Sequence, residues 1–419
     1  MALHIGRDKV HLCIEELTGC IENMPDSLCQ FGGLPLRRVQ VDDAIVGKYA
    51  AKAIYGKTGR APLVRRGAQI RPSMVHALQR RGIEAVWVMD ELFPELEAQE
   101  VVRQQTVDVT RRCLDDIFKT AKQSEGPSQP QALRLAAAVR SLVEDILQND
   151  DVVANVGHLR AWDNYTFEHS VQVAILSVLL GKHLMMTEDQ LVRLGTGAVL
   201  HDVGKVMVPQ EILQKPASLT PEEFDIVRQH PRLGWDLVHD GFSSIMPTSS
   251  IVVLQHHERL DGSGYPSHLK GDEIYVFSRV VAVADVFDAV RAERNYRPTY
   301  APRRVLQIMQ EEAGPKLDRE IVAALLAHVA IIPIGEIVRL TNGLLGAVTG
   351  LHPEDPLRPV VTVVADDRDM PIEREELDLR GTPLQVDQVL NAWPPGLAER
   401  AEKPARGRQT PPAGAGAEG

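Results

Sequence analysis

Among the imidazoles and carboxylates between His169 and Asp285, seven lie where they could converge on metal ions: His169, His201, Asp202, His230, His256, His257 and Asp285. Most belong to two tracts, HDVGK at His201–Lys205 and, 51 residues on, HHERLDGSGYP at His256–Pro266. Imidazoles and carboxylates are costly to bury without partners, and a core does not hold so many for packing alone. Metal ions are the simplest partners, and a mixed His and Asp shell suits Fe, Mn or Zn and excludes soft thiolate sites. Neighbouring residues on a helix diverge by about 100°. His201 and Asp202 are therefore poorly placed to chelate one ion and well placed to serve two, with the two oxygens of Asp202 as the bridge. Two adjacent cations supply hydroxide from water near neutral pH and hold phosphate oxygens. That chemistry is hydrolysis of a phosphodiester. Lys205, four residues after His201, can steady the charge that builds on the phosphoryl oxygens. A lone histidine on an apolar face is more often a satisfied core residue than a ligand. Here five such signals coincide, each beside an apolar helix and a turn.

The elements that must aim these groups are helices. His169 opens one after WDNYTFE, and His201 and Asp202 close another after GAVL. His230 falls in a helix read over 221–238, His256 and His257 end one begun at Ser249, and Asp285 lies within one over 278–291. From Ala132 to about Ile331 the apolar faces are broad and separated by Pro, Gly and polar turns, which predicts a compact α-bundle able to converge side chains on one centre. The fold class is mainly α. A small α/β unit is expected over residues 1–121, ending in a helix from Leu96 to Lys122, followed by a polar linker over 122–131 and the helical domain over 132–332. A β-rich module follows over 333–385, with a turn signal at Asn342–Gly343. The Pro-, Gly- and Ala-rich stretch 395–419 reads as a disordered tail.

Smaller features refine the site. Gly262, Gly264 and Pro266 shape a loop that presents Tyr265 in a defined direction, unless GSGYP is only a tight turn around a core tyrosine. Asp261 is a candidate acceptor for orienting a ligand imidazole. Arg294 and Arg297, three apart on one helix face, offer forked donors for phosphate or are simply surface charge. Cys13, Cys20 and Cys29 lie near His11 at spacings that match no standard zinc site, so ordinary reduced thiols are expected. The net charge of −11 argues against a nucleic-acid polymer as partner and favours a small anionic ligand held by locally placed cations. The N-terminus lacks the apolar run of a signal peptide and no stretch is long enough to span a bilayer, so no membrane partner and a cytoplasmic location are expected.

Taken together, His169, HDVGK, HPRLG at His230, HHERLDGSGYP and AVADVFDAV around Asp285 closely resemble the HD-GYP family of metal-dependent phosphodiesterases, within the HD superfamily. The likeness covers about residues 150–332 and extends to KPASLTPEE and RAERNYRP. It implies an HD-type helical bundle that hydrolyses cyclic di-GMP to linear pGpG and in some members on to GMP. It implies that His169, His201, Asp202, His230, His256, His257 and Asp285 are metal ligands, with Asp202 and Lys205 catalytic. Lys205 would lie beside the reacting phosphate, and Tyr265, Arg294 and Arg297 would contact bases or phosphates. Members with three metals carry a Glu one turn before the first ligand histidine; Tyr165 stands there, and Asn164 and Glu168 do not replace it. Two divalent ions, Fe or Mn, are therefore expected. The N-terminal unit resembles the short domain often found ahead of this catalytic domain, implying regulation, homodimer contact or signalling-protein partners. The alternatives are a cyclic dinucleotide receptor or scaffold with little turnover, and a phosphodiesterase for another cyclic dinucleotide.

Overall fold

A computed structural model of the chain describes residues 36–402 apart from short internal segments, the longest being 56–61, 94–100, 150–164 and 292–300. His11, Cys13, Cys20, Cys29, Asn164, Arg294 and Arg297 lie outside the described residues, as does the chain beyond Glu402.

The N-terminal unit pairs β1 (Leu36–Gln40) with β4 (Ala85–Met89) and β2 (Ile54–Tyr55) with β3 (Pro62–Val64), both antiparallel. Its helix α1 (Pro72–Gln79) opens on proline, whose fixed φ suits the first turn, and buries Val75 and Leu78 against Ile54, Val64 and Val88. The helix read from Leu96 is shorter than its sequence pattern suggests: α2 runs Gln104–Ala121. Arg103 is extended at ψ 134°, and its N–H donates to Asp145 instead of continuing a helix toward Leu96. The next helix, α3 (Gln129–Gln148), begins inside the stretch read as a linker, where the Gln131 side chain accepts the Ser128 N–H and caps the first turn.

The bundle continues through α4 (Tyr165–His183) and α5 (Glu188–Leu200). Every residue of α4 from His169 to Gly181 is buried, as befits a helix apolar all round and packed at the centre. A 3-10 turn, Val203–Met207, leads to α6 (Gln210–Leu213), α7 (Pro221–Val227) and α8 (His230–Phe242). The single helix read over 221–238 is thus two. Pro231 supplies no N–H and fits only a first turn, so the helix restarts at His230. After α9 (Pro247–Gln255) and a long loop come α10 (Val276–Arg291), α11 (Pro302–Glu312) and α12 (Arg319–His328). One continuous apolar core joins α2–α5 to α8–α12. No helix among the described residues is long and apolar enough to cross a membrane.

Beyond the bundle, β5 (Ile337–Leu340), β6 (Leu345–Gly350), β7 (Val360–Ala365), β8 (Pro371–Asp378) and β9 (Val386–Leu390) form an antiparallel sheet ordered β8-β7-β6-β5-β9. Gly343, at φ 88°, makes the β5–β6 turn. The sheet outruns the boundary read at 385, and residues 397–402 of the supposed tail form α13 (Leu397–Glu402). The reason is two apolar anchors in a polar stretch: Trp393 and Leu397 are buried against Leu92 and Phe93 of the N-terminal unit. The rings of Phe93 and Trp393 stack at 5.8 Å, and Trp393 Nε1 donates to Asp90 Oδ2 at 2.8 Å. Arg374 from β8 donates to the Leu92 carbonyl and lies over the Phe93 ring. The first and last modules therefore share a core.

Candidate metal centre

The turn that follows α5 carries the central residue. Asp202 sits at φ −97°, ψ 7°, between the helix and the 3-10 turn, and its carboxylate points into the bundle with almost no solvent exposure. The next turn passes α8 with no room for a side chain: a Cβ on Gly204 would lie 2.0 Å from the His230 carbonyl oxygen and 2.5 Å from the Gly234 nitrogen. That contact brings His230, at the start of α8, beside Asp202.

Asp202 divides the surrounding imidazoles between its two oxygens. Oδ1 lies 3.3 Å from His230 Nε2 and 3.9 Å from His256 Nε2. Oδ2 lies 3.5 Å from His201 Nε2, 3.8 Å from His169 Nε2 and 2.5 Å from Lys205 Nζ. Asp285 from α10 faces the other side of the site, with Oδ1 3.1 Å from His169 Nε2 and Oδ2 4.0 Å from His257 Nδ1. Two sets of ligand atoms result, Asp202 with His230, His256 and His257, and His169 with His201 and Asp285, each within 4.8 Å internally.

The histidine tautomers favour metal over protons. Nδ1 of His201, His230 and His256 lies 2.7, 2.8 and 2.9 Å from the carbonyl oxygens of Ala198, Val227 and Val253. A carbonyl only accepts, so each Nδ1 carries the proton and each Nε2 offers a lone pair to the centre. His230 Nε2 and His256 Nε2 face each other at 3.2 Å, two lone pairs that a shared cation reconciles. His201 Nε2 and Asp202 Oδ1 are buried without a hydrogen-bond partner. A buried donor set of this kind fits divalent ions bound by nitrogen and oxygen.

Electrostatics agree. Burial lowers His201, and burial with neighbouring imidazoles holds His256 well below the ordinary histidine range, so both stay neutral and able to ligate. Burial likewise holds His257 well below that range. Burial alone would raise Asp202, but Lys205 and the adjacent imidazoles outweigh it and hold the carboxyl well below the usual range. Asp285 behaves alike through His169. His169 is the exception among the imidazoles: burial opposes its charge, yet hydrogen bonds to Asp285 and Asp288 raise it well above its ordinary value.

The loop after α9 closes one side. Tyr265 N–H donates to the His257 carbonyl at 3.2 Å, and its ring packs 4.7 Å from the His257 ring. Burial pushes its hydroxyl well above the ordinary tyrosine value. Gly262 takes φ 81°, and a Cβ on Gly264 would lie 2.4 Å from the Arg259 nitrogen, so both glycines are required by the path of the loop. The Tyr265–Pro266 peptide is cis.

One assignment differs from the sequence reading, and two supporting acids were not singled out by it. Asp261 is exposed and accepts the Ser263 N–H in its own turn, so it orients no imidazole. That work falls to backbone carbonyls and to Asp288, whose Oδ2 lies 2.8 Å from His169 Nδ1. Glu258, buried inside HHERL, accepts the N–H groups of Ser267 and Leu269 and ties the far end of the loop down. The signal available for Asp288 was its place three residues after Asp285, which puts both on one helix face. His169 sits one turn inside α4, with Tyr165 at the helix start.

Comparison with known proteins places this geometry. Residues 128–321 match the HD domain family model. The chain is similar to a cyclic di-GMP phosphodiesterase of Pseudomonas aeruginosa, 33% identical over 282 residues, 66% of this chain and 66% of the relative. It is also similar to a cyclic di-GMP phosphodiesterase response regulator of Xanthomonas campestris, 31% identical over 52% of this chain and 58% of the relative. A 3′3′-cGAMP-specific phosphodiesterase of Vibrio cholerae is 36% identical over 40% of this chain and 36% of its own length. The matched part is thus just under two thirds of the first relative's length and less of the other two.

Proposed function

The chain belongs to the HD domain family, and from that premise we propose that it is a metal-dependent phosphodiesterase hydrolysing cyclic di-GMP to linear pGpG. The observation that carries this reading is the division of Asp202, one oxygen toward His230 and His256 and the other toward His169 and His201. A carboxylate shared in this way suits two ions. In this reading His230, His256 and His257 would hold one, His169, His201 and Asp285 the other, Asp202 would serve both, and the metals would be Fe or Mn. When bound, the pair would supply hydroxide near neutral pH and neutralise charge on the phosphoryl oxygens.

The chain's own residues do the rest. Nδ1–H bonds to Ala198, Val227 and Val253 lock three imidazoles in the ligating tautomer before any ion arrives. Lys205 is anchored on Asp202 and still partly exposed, so with three donors it can keep that bond while donating to a phosphoryl oxygen as charge develops there. Tyr265 braces His257 from the loop side. The catalytic unit is assigned to residues 132–332 together with the first turn of α3. The N-terminal unit, which shares a core with the C-terminal sheet, is assigned a regulatory role in the cytoplasm, with homodimer or signalling-protein contacts. Arg294 and Arg297 remain assigned to the substrate.

The test is to incubate metal-loaded protein with cyclic di-GMP under reducing conditions and follow linear dinucleotide and GMP by chromatography. No product with either Fe or Mn would overturn the reading. A second substrate, 3′3′-cGAMP, belongs in the same assay because a matching relative is specific for it. Binding without product at full metal occupancy would instead indicate a receptor.

A further inference from the structure

Arg228 ends α7, two residues before His230. Its guanidinium carbon lies 5.1 Å from the centroid of the Tyr265 ring and 5.4 Å from that of Phe224. Tyr265 in turn packs on His257, so a row of contacts, Phe224, Arg228, Tyr265, His257, runs from the surface to the metal centre. Stacking on a ring holds a guanidinium by its face and leaves its edge N–H donors for an anion. Its acidic neighbour is Asp225 at 3.5 Å, whose side chain is 70% exposed, and such surface pairs contribute little. The other described cations near the centre are committed. Lys205 lies on Asp202, and Arg259 donates to the carbonyls of His256 and Glu258.

A cyclic dinucleotide carries two phosphates, and the metal centre engages the one being cleaved. The second is served by a further cation on the loop side of the centre, besides Arg294 and Arg297, the more so on a chain of net charge −11. We propose that Arg228, mounted on Tyr265 and Phe224, binds the phosphate that is not being cleaved and so selects cyclic dinucleotides over simple diesters. Tyr265 then acts mainly as the mount for Arg228 and the brace of His257. This assignment rests on the phosphodiesterase reading.

The test compares the metal-loaded wild type with Arg228→Gln and Arg228→Lys on cyclic di-GMP and on bis(p-nitrophenyl) phosphate, a diester with a single phosphate. Losing a charge-assisted, forked contact should raise KM for cyclic di-GMP roughly tenfold to a hundredfold while kcat changes little. The ratio of kcat/KM for cyclic di-GMP to that for bis(p-nitrophenyl) phosphate should fall by the same factor, and the lysine variant should recover part of it. Affinity for the linear dinucleotide, measured by calorimetry, should weaken in parallel. A purely structural role would lower both substrates alike and leave the ratio unchanged, which overturns the proposal. If the wild type itself fails to cleave cyclic di-GMP, the functional reading falls and the proposal falls with it. If the wild type cleaves it and Arg228→Gln matches its KM, the Arg228 assignment alone falls.

Discussion

Asp288 Oδ2 lies 2.8 Å from Nδ1 of His169, whose Nε2 lies 3.1 Å from Asp285 Oδ1. One turn of α10 thus supplies both a candidate ligand and the carboxylate that orients its neighbour. Carboxylates behind metal-binding histidines fix ring orientation and raise ligand basicity, and their loss usually costs roughly tenfold to a hundredfold in metal affinity.

Replacing Asp288 with Ala should therefore weaken binding at the His169 side by about that factor while leaving the His230 side loaded. Metal content after dialysis against a graded chelator measures it. Equal retention by wild type and variant at every chelator concentration would show that Asp288 does not support the site.

Asp202→Ala removes the carboxylate whose two oxygens face both sets of imidazoles, whereas His257→Ala takes a candidate ligand from one group only. The first should lower content for both ions and abolish turnover; the second should leave about one ion bound. Elemental analysis of the purified variants gives the stoichiometry directly.

The metal-free protein should lose stability as pH falls below about 6.5. Burial depresses His201, His256 and His257, and His183 to about 4. In this window the unfolded chain takes up protons that the fold refuses, so unfolding is favoured as pH drops. His169 has the opposite sign: its raised value stabilises the fold below 6.5, where it is protonated in both states, and that contribution is lost as pH rises through its folded value. Urea midpoints at pH 7, 6 and 5 should fall in that order. Bound metal excludes the same protons, so acid should also release the ions.

Glu258→Ala strips a buried acceptor from the Ser267 and Leu269 N–H groups, which lie in a partly exposed turn. A hydrogen bond to a charged acceptor contributes about 1.5–3 kcal/mol, and less where water can take the acceptor's place. The denaturation midpoint should drop, and Tyr265 should lose its fixed position against His257. An unchanged midpoint would show that water replaces the carboxylate at no cost.

Trp393→Ala should loosen the joint between the N-terminal unit and the sheet, since a buried Trp to Ala change typically costs about 3–5 kcal/mol. Limited proteolysis near Asp90–Phe93 should accelerate before the helical bundle is cut. Identical digestion of both proteins would show that the joint holds without the indole.

The candidate ligands were legible because their residue types are conspicuous on apolar helices: nothing but a partner explains His201 and Asp202 after GAVL. The bundle was legible for the same reason, from the breadth of its apolar faces. Which acid supports a ligand was not. Asp261 and Glu258 stand three residues apart in one tract, and only the folded loop shows that Asp261 faces solvent while Glu258 points inward. Pro231 announced a helix break in local terms, but the apolar pattern on both sides of it read as one helix. The joint between Asp90 and Trp393 spans 303 positions, and no local pattern encodes a contact at that distance.

The backbone contact between Gly204 and Gly234 sets a gauge for the whole centre. Two hydrogens, in place of methyl groups, fix how far the turn bearing Asp202 stands from the helix bearing His230. The span available to a pair of ions is then a property of main chain against main chain. Exchanging a ligand alters the chemistry of the cage and leaves its bore alone; adding one carbon at position 204 would widen the bore with every ligand still in place.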